Sequence, residues 1–240
     1  MVMLHGMLGG LENWTSTIET LSKAGYRAVA PVLPVYTLAL EETSVSGLAS
    51  HLGRFLAQMD IEEPVLVGNS LGGHVALIHV LSAGHTVSGL VLTGASGIHE
   101  VIMGNSRLKR YDRDYVREKA ALTFYDPVHV TDELIEGVLK IVWDRPSAVR
   151  LIKIARSVRT DTVRDRLGNI RIPSLLIWGR QDRLTPPEVA RDFQRRMQNA
   201  RIVLIDRCGH APMIEHPVEF GALLLEFLAE LGRNRPTSNP

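Results

Sequence analysis

Cysteine is nearly absent. Cys208 stands alone in 240 residues, so no intramolecular disulfide can staple the chain and no multi-cysteine metal site can form. A reducing, cytoplasmic setting is the natural expectation. Net charge is nearly absent too: 27 Lys and Arg stand against 26 Asp and Glu, a formal +1. Without a basic field, neither nucleic acid nor an anionic membrane is an expected partner, and a small neutral or weakly charged molecule fits better. The start lacks the basic patch, apolar core and small-residue cleavage site of a secretory signal. What remains is globular in composition, at 45% hydrophobic and 22% charged, and long enough for one large domain or one domain with an insertion.

Charge is wholly missing between Glu63 and Glu100. The apolar blocks of that stretch are each too short to cross a bilayer, and Asn69, Ser70, His74, His79 and His85 interrupt them. Strands covered by helices on both faces read as near-continuous apolar runs, so the block marks the centre of a parallel sheet. Similar runs at 1–4, 27–30, 64–68, 87–93, 174–178 and 201–205 predict six strands. Helical patterns at 14–23, 45–59, 71–83, 187–197 and 217–232 alternate with them, which predicts an α/β class with a mostly parallel sheet. Residues 98–168 break the rhythm with four helical patterns, among them 131–143 and 147–159, and no strand. They predict a helical cap inserted into a core made of 1–97 and 169–240. Thr185, Pro186, Pro187 and Glu188 have the spacing of a capping box that opens the helix at 187.

In the middle of the charge-free block stands Gly68-Asn69-Ser70-Leu71-Gly72. Between a predicted strand and a predicted helix, this spacing fits a nucleophile elbow, where serine occupies a strained turn at the carboxyl edge of the sheet. A serine hydroxyl is a weak nucleophile at neutral pH and needs a base within reach and a third group to orient that base. Asp182 and His210 each follow a predicted strand end, and loops at the carboxyl ends of parallel strands converge on one rim. Ser70, Asp182 and His210 are therefore the candidate catalytic residues. The backbone N–H of Leu71 and of Met7, in the turn "HGMLGG", are the candidate oxyanion donors. No cofactor or metal is expected, because His74, His79, His85 and His99 lack ligand spacing.

"HGMLGG", "GNSLGG", "LLIWGRQDRLTPP" and "CGHAPMIEHP", in this order with room for a helical cap between them, resemble the α/β-hydrolase superfamily over nearly the whole chain. Within it, the sequence looks most like capped carboxylesterases and the C–C bond hydrolases of meta-cleavage products. The resemblance implies an esterase acting on small carboxylic esters through an acyl-enzyme. The alternatives are hydrolysis of a dienoic diketo acid by the same triad and, from another class, a ligand receptor on the same fold. Serine at position 70 excludes the dehalogenases and epoxide hydrolases of the superfamily, which carry Asp there. C–C hydrolases usually show an aromatic residue after the catalytic histidine, where this chain has Ala211. Superfamily members usually open with an antiparallel hairpin, which is missing here, and its absence would leave the 27–30 strand at an open edge suited to dimer pairing.

Other residues carry plainer expectations. Asp206 and Asp165 rival Asp182 but suit a bracing or solvated role. His5 shapes the HG turn, Cys208 packs in the core, and the Arg150, Lys153, Arg156, Arg159 face of a cap helix faces water.

Overall fold

A computed structural model of the chain describes residues 1–82, 87–98 and 112–233. Its elements in chain order are β1 (Val2–Leu4), α1 (Thr15–Lys23), α2 (Val45–Gln58), β2 (Val65–Asn69), α3 (Leu71–Ser82), β3 (Gly89–Thr93) and α4 (Arg113–Ala120). There follow α5 (Asp132–Trp143), α6 (Arg145–Thr160), β4 (Ser174–Gly179), α7 (Pro187–Arg196), β5 (Ala200–Ile205), α8 (Pro212–Glu215) and α9 (Pro217–Arg233). The five strands lie in the order β1-β2-β3-β4-β5, and each adjacent pair is parallel.

Strand side chains alternate between two cores, as the period of two requires. Leu4, Leu66, Leu90, Leu92, Leu176 and Trp178 join the face covered by α2, α3 and α7. Met3, Val65, Val67, Val91, Leu175 and Ile177 join the opposite face, with Leu21 of α1 and Phe220, Leu224 and Phe227 of α9. This double cover explains why the central strands read as unbroken apolar runs. Val116, Ile135, Leu139 and Val142 of α4 and α5 form a small separate cluster, whereas Ile154 and Val158 of α6 join the main core. Among the described residues no helix is long and apolar enough to cross a membrane.

The expected strand at 27–30 shrinks to one parallel bridge, Val29 against Val2, held by Met3 N–H to the Val29 carbonyl (2.9 Å) and Val29 N–H to the Met1 carbonyl (3.0 Å). Pro31 and Pro34 follow at once and bring no N–H to extend a ladder. Short as it is, the bridge fixes the topology. From β1 the chain moves outward to Val29 and then returns past β1 to β2. The two connections therefore take opposite faces, α1 on one and α2 on the other, and the loops leaving β1 and β2 part at the carboxyl edge. Open parallel sheets bind ligands in the crevice at such a reversal.

The capping box is not formed. Helix α7 opens at Pro187 with Pro186 in the cap place and no side-chain cap, so Thr185 stands one residue outside the cap, and its hydroxyl donates to Asp182 Oδ2 (2.9 Å). Caps of the expected kind do open α2 from Ser44 and α5 from Thr131.

Leu66, fully buried in β2, tests the packing. Leu66→Ala is expected to cost about 2–5 kcal/mol of stability in urea unfolding, and a loss below about 1 kcal/mol would contradict a tightly packed centre.

Candidate active site

The turn between β2 and α3 is shaped by backbone contact. A Cβ on Gly68 would stand 2.5 Å from the Cα of Gly73, and one on Gly72 would stand 2.1 Å from the carbonyl oxygen of Leu4. No other residue fits at either place. Strand and helix therefore close tightly around Ser70, which is left at φ +54, in the left-handed region that costs a side-chain-bearing residue energy. Three backbone hydrogen bonds hold it there. Ser70 N–H donates to the Thr93 carbonyl (3.0 Å), and the Ser70 carbonyl accepts from His74 N–H and Ser96 N–H (both 3.2 Å).

His210 is placed by the loop after β5. Its N–H donates to the Thr123 carbonyl (2.7 Å), and its carbonyl accepts from the Asn69 side-chain amide (3.0 Å). Asn69 is the residue before Ser70, so a direct bond ties the two loops. The imidazole lies against Gly94, where a Cβ would come within 2.7 Å of Nδ1 and Cε1. Asp182 follows β4 and meets the ring with Oδ2 2.8 Å from Nδ1. A carboxylate that already accepts from Leu184 N–H, Thr185 N–H and the Thr185 hydroxyl has only acceptor capacity to offer. The ring proton is thus assigned to Nδ1 and the lone pair to Nε2. Asp182 and His210 are both buried, at 4% and 5% exposure, so the pair interacts away from water.

The two expected oxyanion donors flank the same turn. Leu71 opens α3, so its N–H has no acceptor within the helix. Met7 lies in the loop after β1, where a Cβ on Gly6 would stand 3.3 Å from the Ser70 Cβ. The Met7 carbonyl accepts from the Tyr36 hydroxyl, whose pKa burial pushes up, so the phenol remains a donor. His5 shapes the loop from beneath. Leu33 N–H donates to Nε2 (2.9 Å) and Nδ1 donates to the Gly6 carbonyl (2.7 Å).

The rival residues lie elsewhere. Asp206 pairs with Arg180 at the surface, and Asp165 is exposed in a short helical turn. Burial raises the pKa of the Cys208 thiol, with the carboxylates of Glu215 and Asp182 adding to the rise, so no thiolate competes as a nucleophile. Of the basic face on α6, Arg150 and Lys153 do not simply face water, since they donate to the carbonyls of Leu38 and Leu40. His85 and His99 fall outside the described residues, among which no three His, Cys, Asp or Glu could hold a metal. A cleft of about 620 Å³ lies between Met1, Arg27, Pro64, Ser88, Pro173 and Leu231. All of these but Leu231, which lies in α9, precede strands, so the cleft sits at the opposite end of the sheet from Ser70.

Two positions carried no expectation of a place near Ser70, Asp182 and His210. Thr185 contacts both Asp182 and the His210 ring (3.3 Å to Nδ1). The available signal was its place three residues after Asp182, a spacing at which a carboxylate commonly bonds back to its own loop. His74 joins the elbow to the end of α6. Its Nε2 donates to the Asp161 carbonyl (2.9 Å), and its Nδ1 lies 3.4 Å from the Ser96 hydroxyl.

The sequence profile of the alpha/beta hydrolase family matches residues 1–223. The chain belongs to that family. Among its relatives, the 2-hydroxy-6-oxononadienedioate/2-hydroxy-6-oxononatrienedioate hydrolase of Paraburkholderia xenovorans is 30% identical over 95% of this chain and 86% of its own. The 2-hydroxy-6-oxo-6-phenylhexa-2,4-dienoate hydrolase of Burkholderia cepacia is 28% identical over 95% of this chain and 87% of its own. Among solved structures of alpha/beta hydrolases, the enzyme MGS-MChE2, from a sediment metagenome of the Mar Chica lagoon, is 35% identical with a TM-score of 0.78, over 95% of this chain and 90% of that one. The meta-cleavage product hydrolase of Pseudomonas fluorescens IP01 is 23% identical with a TM-score of 0.79, over 95% and 90%, and shares the fold.

Burial holds His5 and His74 below the ordinary 6.5, against an opposing pull from their bonds to the Gly6 and Asp161 carbonyls. A depressed pKa in the folded state means that the unfolded chain binds more protons below 6.5, so stability is full above that pH and is lost as the pH falls. The urea midpoint is expected to drop between about pH 7 and pH 5, and His74→Gln to flatten that slope. A midpoint constant across this range would show that neither histidine is held neutral.

Proposed function

We propose that Ser70, His210 and Asp182 form a catalytic triad and that the substrate is a 2-hydroxy-6-oxo-dienoic acid, cleaved at the carbon–carbon bond beside its ketone. The observation that carries the substrate is the relative that shares 30% identity over 95% of this chain and is named for such a compound. The Asp182–His210 bond, with a lone pair left on Nε2, supports the triad.

In this reading the Ser70 hydroxyl adds to the ketone carbon while Nε2 of His210 takes its proton, and Asp182 stabilises the imidazolium. The N–H groups of Met7 and Leu71 receive the oxyanion, each such donor being worth about 3–4 kcal/mol in the transition state. As the tetrahedral adduct collapses, the carbon–carbon bond breaks. Before the attack the dienol has moved its hydroxyl proton onto the carbon beside the ketone, so the released pair is delocalised through the remaining enone to the 2-oxygen, which takes the proton from His210 and restores a 2-hydroxydiene. Water then supplies hydroxide to the acyl carbon and a proton to the Ser70 oxygen. Carbon is a poor leaving group unless its charge is delocalised, which is why the vinylogous system is required. Of the 98–168 insertion, the described helices α4 to α6 act as the cap over this site, excluding water and shaping the acyl pocket, and residues 99–111 lie outside the described residues.

Ester hydrolysis is the second reading, and Ala211 favours it, since C–C hydrolases usually carry an aromatic residue after the catalytic histidine. The two are separable by comparing a 2-hydroxy-6-oxo-dienoate with a p-nitrophenyl ester. The dienoate is expected to win in kcat/KM by about 100-fold, with Ser70→Ala lowering turnover by about 10³-fold or more. The opposite preference assigns the ester. Turnover indifferent to Ser70→Ala would end the triad reading.

A further inference from the structure

Besides its bonds to Thr123, Asn69 and Gln181, the loop that carries His210 has an anchor which the reaction above does not use. One turn of α8 after the histidine brings Glu215 back beneath the loop, held by Glu215 N–H to the Ala211 carbonyl (3.0 Å). Its two carboxylate oxygens then face different partners. Oε1 accepts from Gly209 N–H (2.7 Å), the residue before His210. Oε2 accepts from Tyr125 N–H (2.6 Å) and Asp126 N–H (3.3 Å), in the helical connection between β3 and β4. The two segments touch without any side chain between them, since a Cβ on Gly209 would lie 2.5 Å from the Thr123 carbonyl oxygen and 2.8 Å from the Tyr125 nitrogen. Both present N–H groups to the same point. Only an acceptor with two oxygens, on a stem of this length, satisfies both sides.

We infer that Glu215 is a positioning residue for catalysis, fixing the height of the His210 imidazole by clamping its loop to residues 123–126. The inference rests on the triad reading and extends it. A bond from the carboxylate to backbone N–H is charge-assisted and stronger than a neutral one, and three converge here. The connection at 123–126 in turn supplies the carbonyl that holds His210 N–H (2.7 Å). Loosening the clamp therefore shifts the base as well as the loop. An error near 1 Å in the placement of a catalytic group costs on the order of 100-fold in rate.

Glu215→Gln tests this, because the amide keeps size and shape but turns an N–H₂ toward one of the two sets of donors. The probe is a fluorophosphonate, scored by its second-order rate of attachment to Ser70 in the intact protein, alongside kcat and KM on whichever substrate the wild type turns over. Labelling and kcat are expected to fall by about 10- to 100-fold, with KM within about twofold. Near-ultraviolet circular dichroism and the melting temperature report the folded fraction. Labelling per folded molecule within about twofold of wild type overturns the inference. If Glu215→Gln does not fold, Glu215→Asp decides: it keeps both oxygens on a shorter stem, so a lowered rate with unchanged KM supports the clamp and a wild-type rate overturns it. A wild type that labels beside an equally fast variant removes only the role of Glu215. A wild type that does not label at Ser70 removes the triad, and the clamp with it.

Discussion

The approach of two backbones at the β2–α3 turn governs what lies above the sheet. With 2.5 Å between a hypothetical Cβ on Gly68 and the Cα of Gly73, the helix sits closer to its strand than any side chain would allow. Ser70 is the residue that absorbs the resulting bend. Its φ of +54 is a conformation that serine visits at a cost of order 1–3 kcal/mol, so the surroundings must over-determine it. They do so with strand, helix and loop groups: the Thr93 carbonyl, which also accepts from the Asn69 side chain, and the N–H groups of His74 and Ser96. The left-handed turn also aims Asn69 at the His210 carbonyl. A single backbone constraint thereby positions the serine and the loop of its histidine together.

Much of this was visible in the residue order. Glycine at positions 68 and 72 around a serine, after an uncharged apolar run, has few physical explanations other than a strand and helix in contact. The double cover of the sheet follows from the absence of charge in its central strands. Less legible was anything that depended on a polar side chain choosing among several partners. Thr185 has the spacing of a helix cap, yet Pro186 takes the cap place, and the hydroxyl one residue outside it donates to the buried Asp182 carboxylate. The run at 27–30 has strand composition, but two prolines downstream limit its pairing to Val29, and proline's effect on a ladder depends on the neighbouring strand as well as on its own segment. Glu215 sits in a motif noted for its histidine. Nothing in its spacing says that the donors it meets lie 90 residues earlier.

The basic face of α6 is a case where composition misleads for a physical reason. Four cations at three-residue intervals look like a solvated surface, and Arg156 and Arg159 are exposed as expected. Arg150 and Lys153 instead satisfy carbonyls at Leu38 and Leu40, in a segment between Val29 and α2 that belongs to no strand. Backbone without a ladder needs acceptors and donors from elsewhere, and long cationic side chains on an adjacent helix supply them. Counting charge on a helix face therefore overstates what is free to meet a substrate.

Those two contacts form one of several joins, among the described residues, between the β3–β4 connection and the rest of the molecule. From Leu38 the chain leads back two residues to Tyr36, whose hydroxyl holds the Met7 carbonyl. At the far end of α6, the Asp161 carbonyl holds His74, which touches Ser96 and, through it, the Ser70 carbonyl. Between α4 and α5, Thr123 and the Glu215 partners hold His210. Each proposed element of the reaction, oxyanion loop, nucleophile and base, thus has its own hydrogen-bonded route into the helical connection. Rigid-body displacement of these helices would shift all three together. The interior of α4 and α5 is joined to these routes as well, since the Ala120 carbonyl accepts from Thr123 N–H (3.0 Å) and Leu151 of α6 packs against its apolar cluster, so hydrogen bonds and packing together hold the connection to the rim.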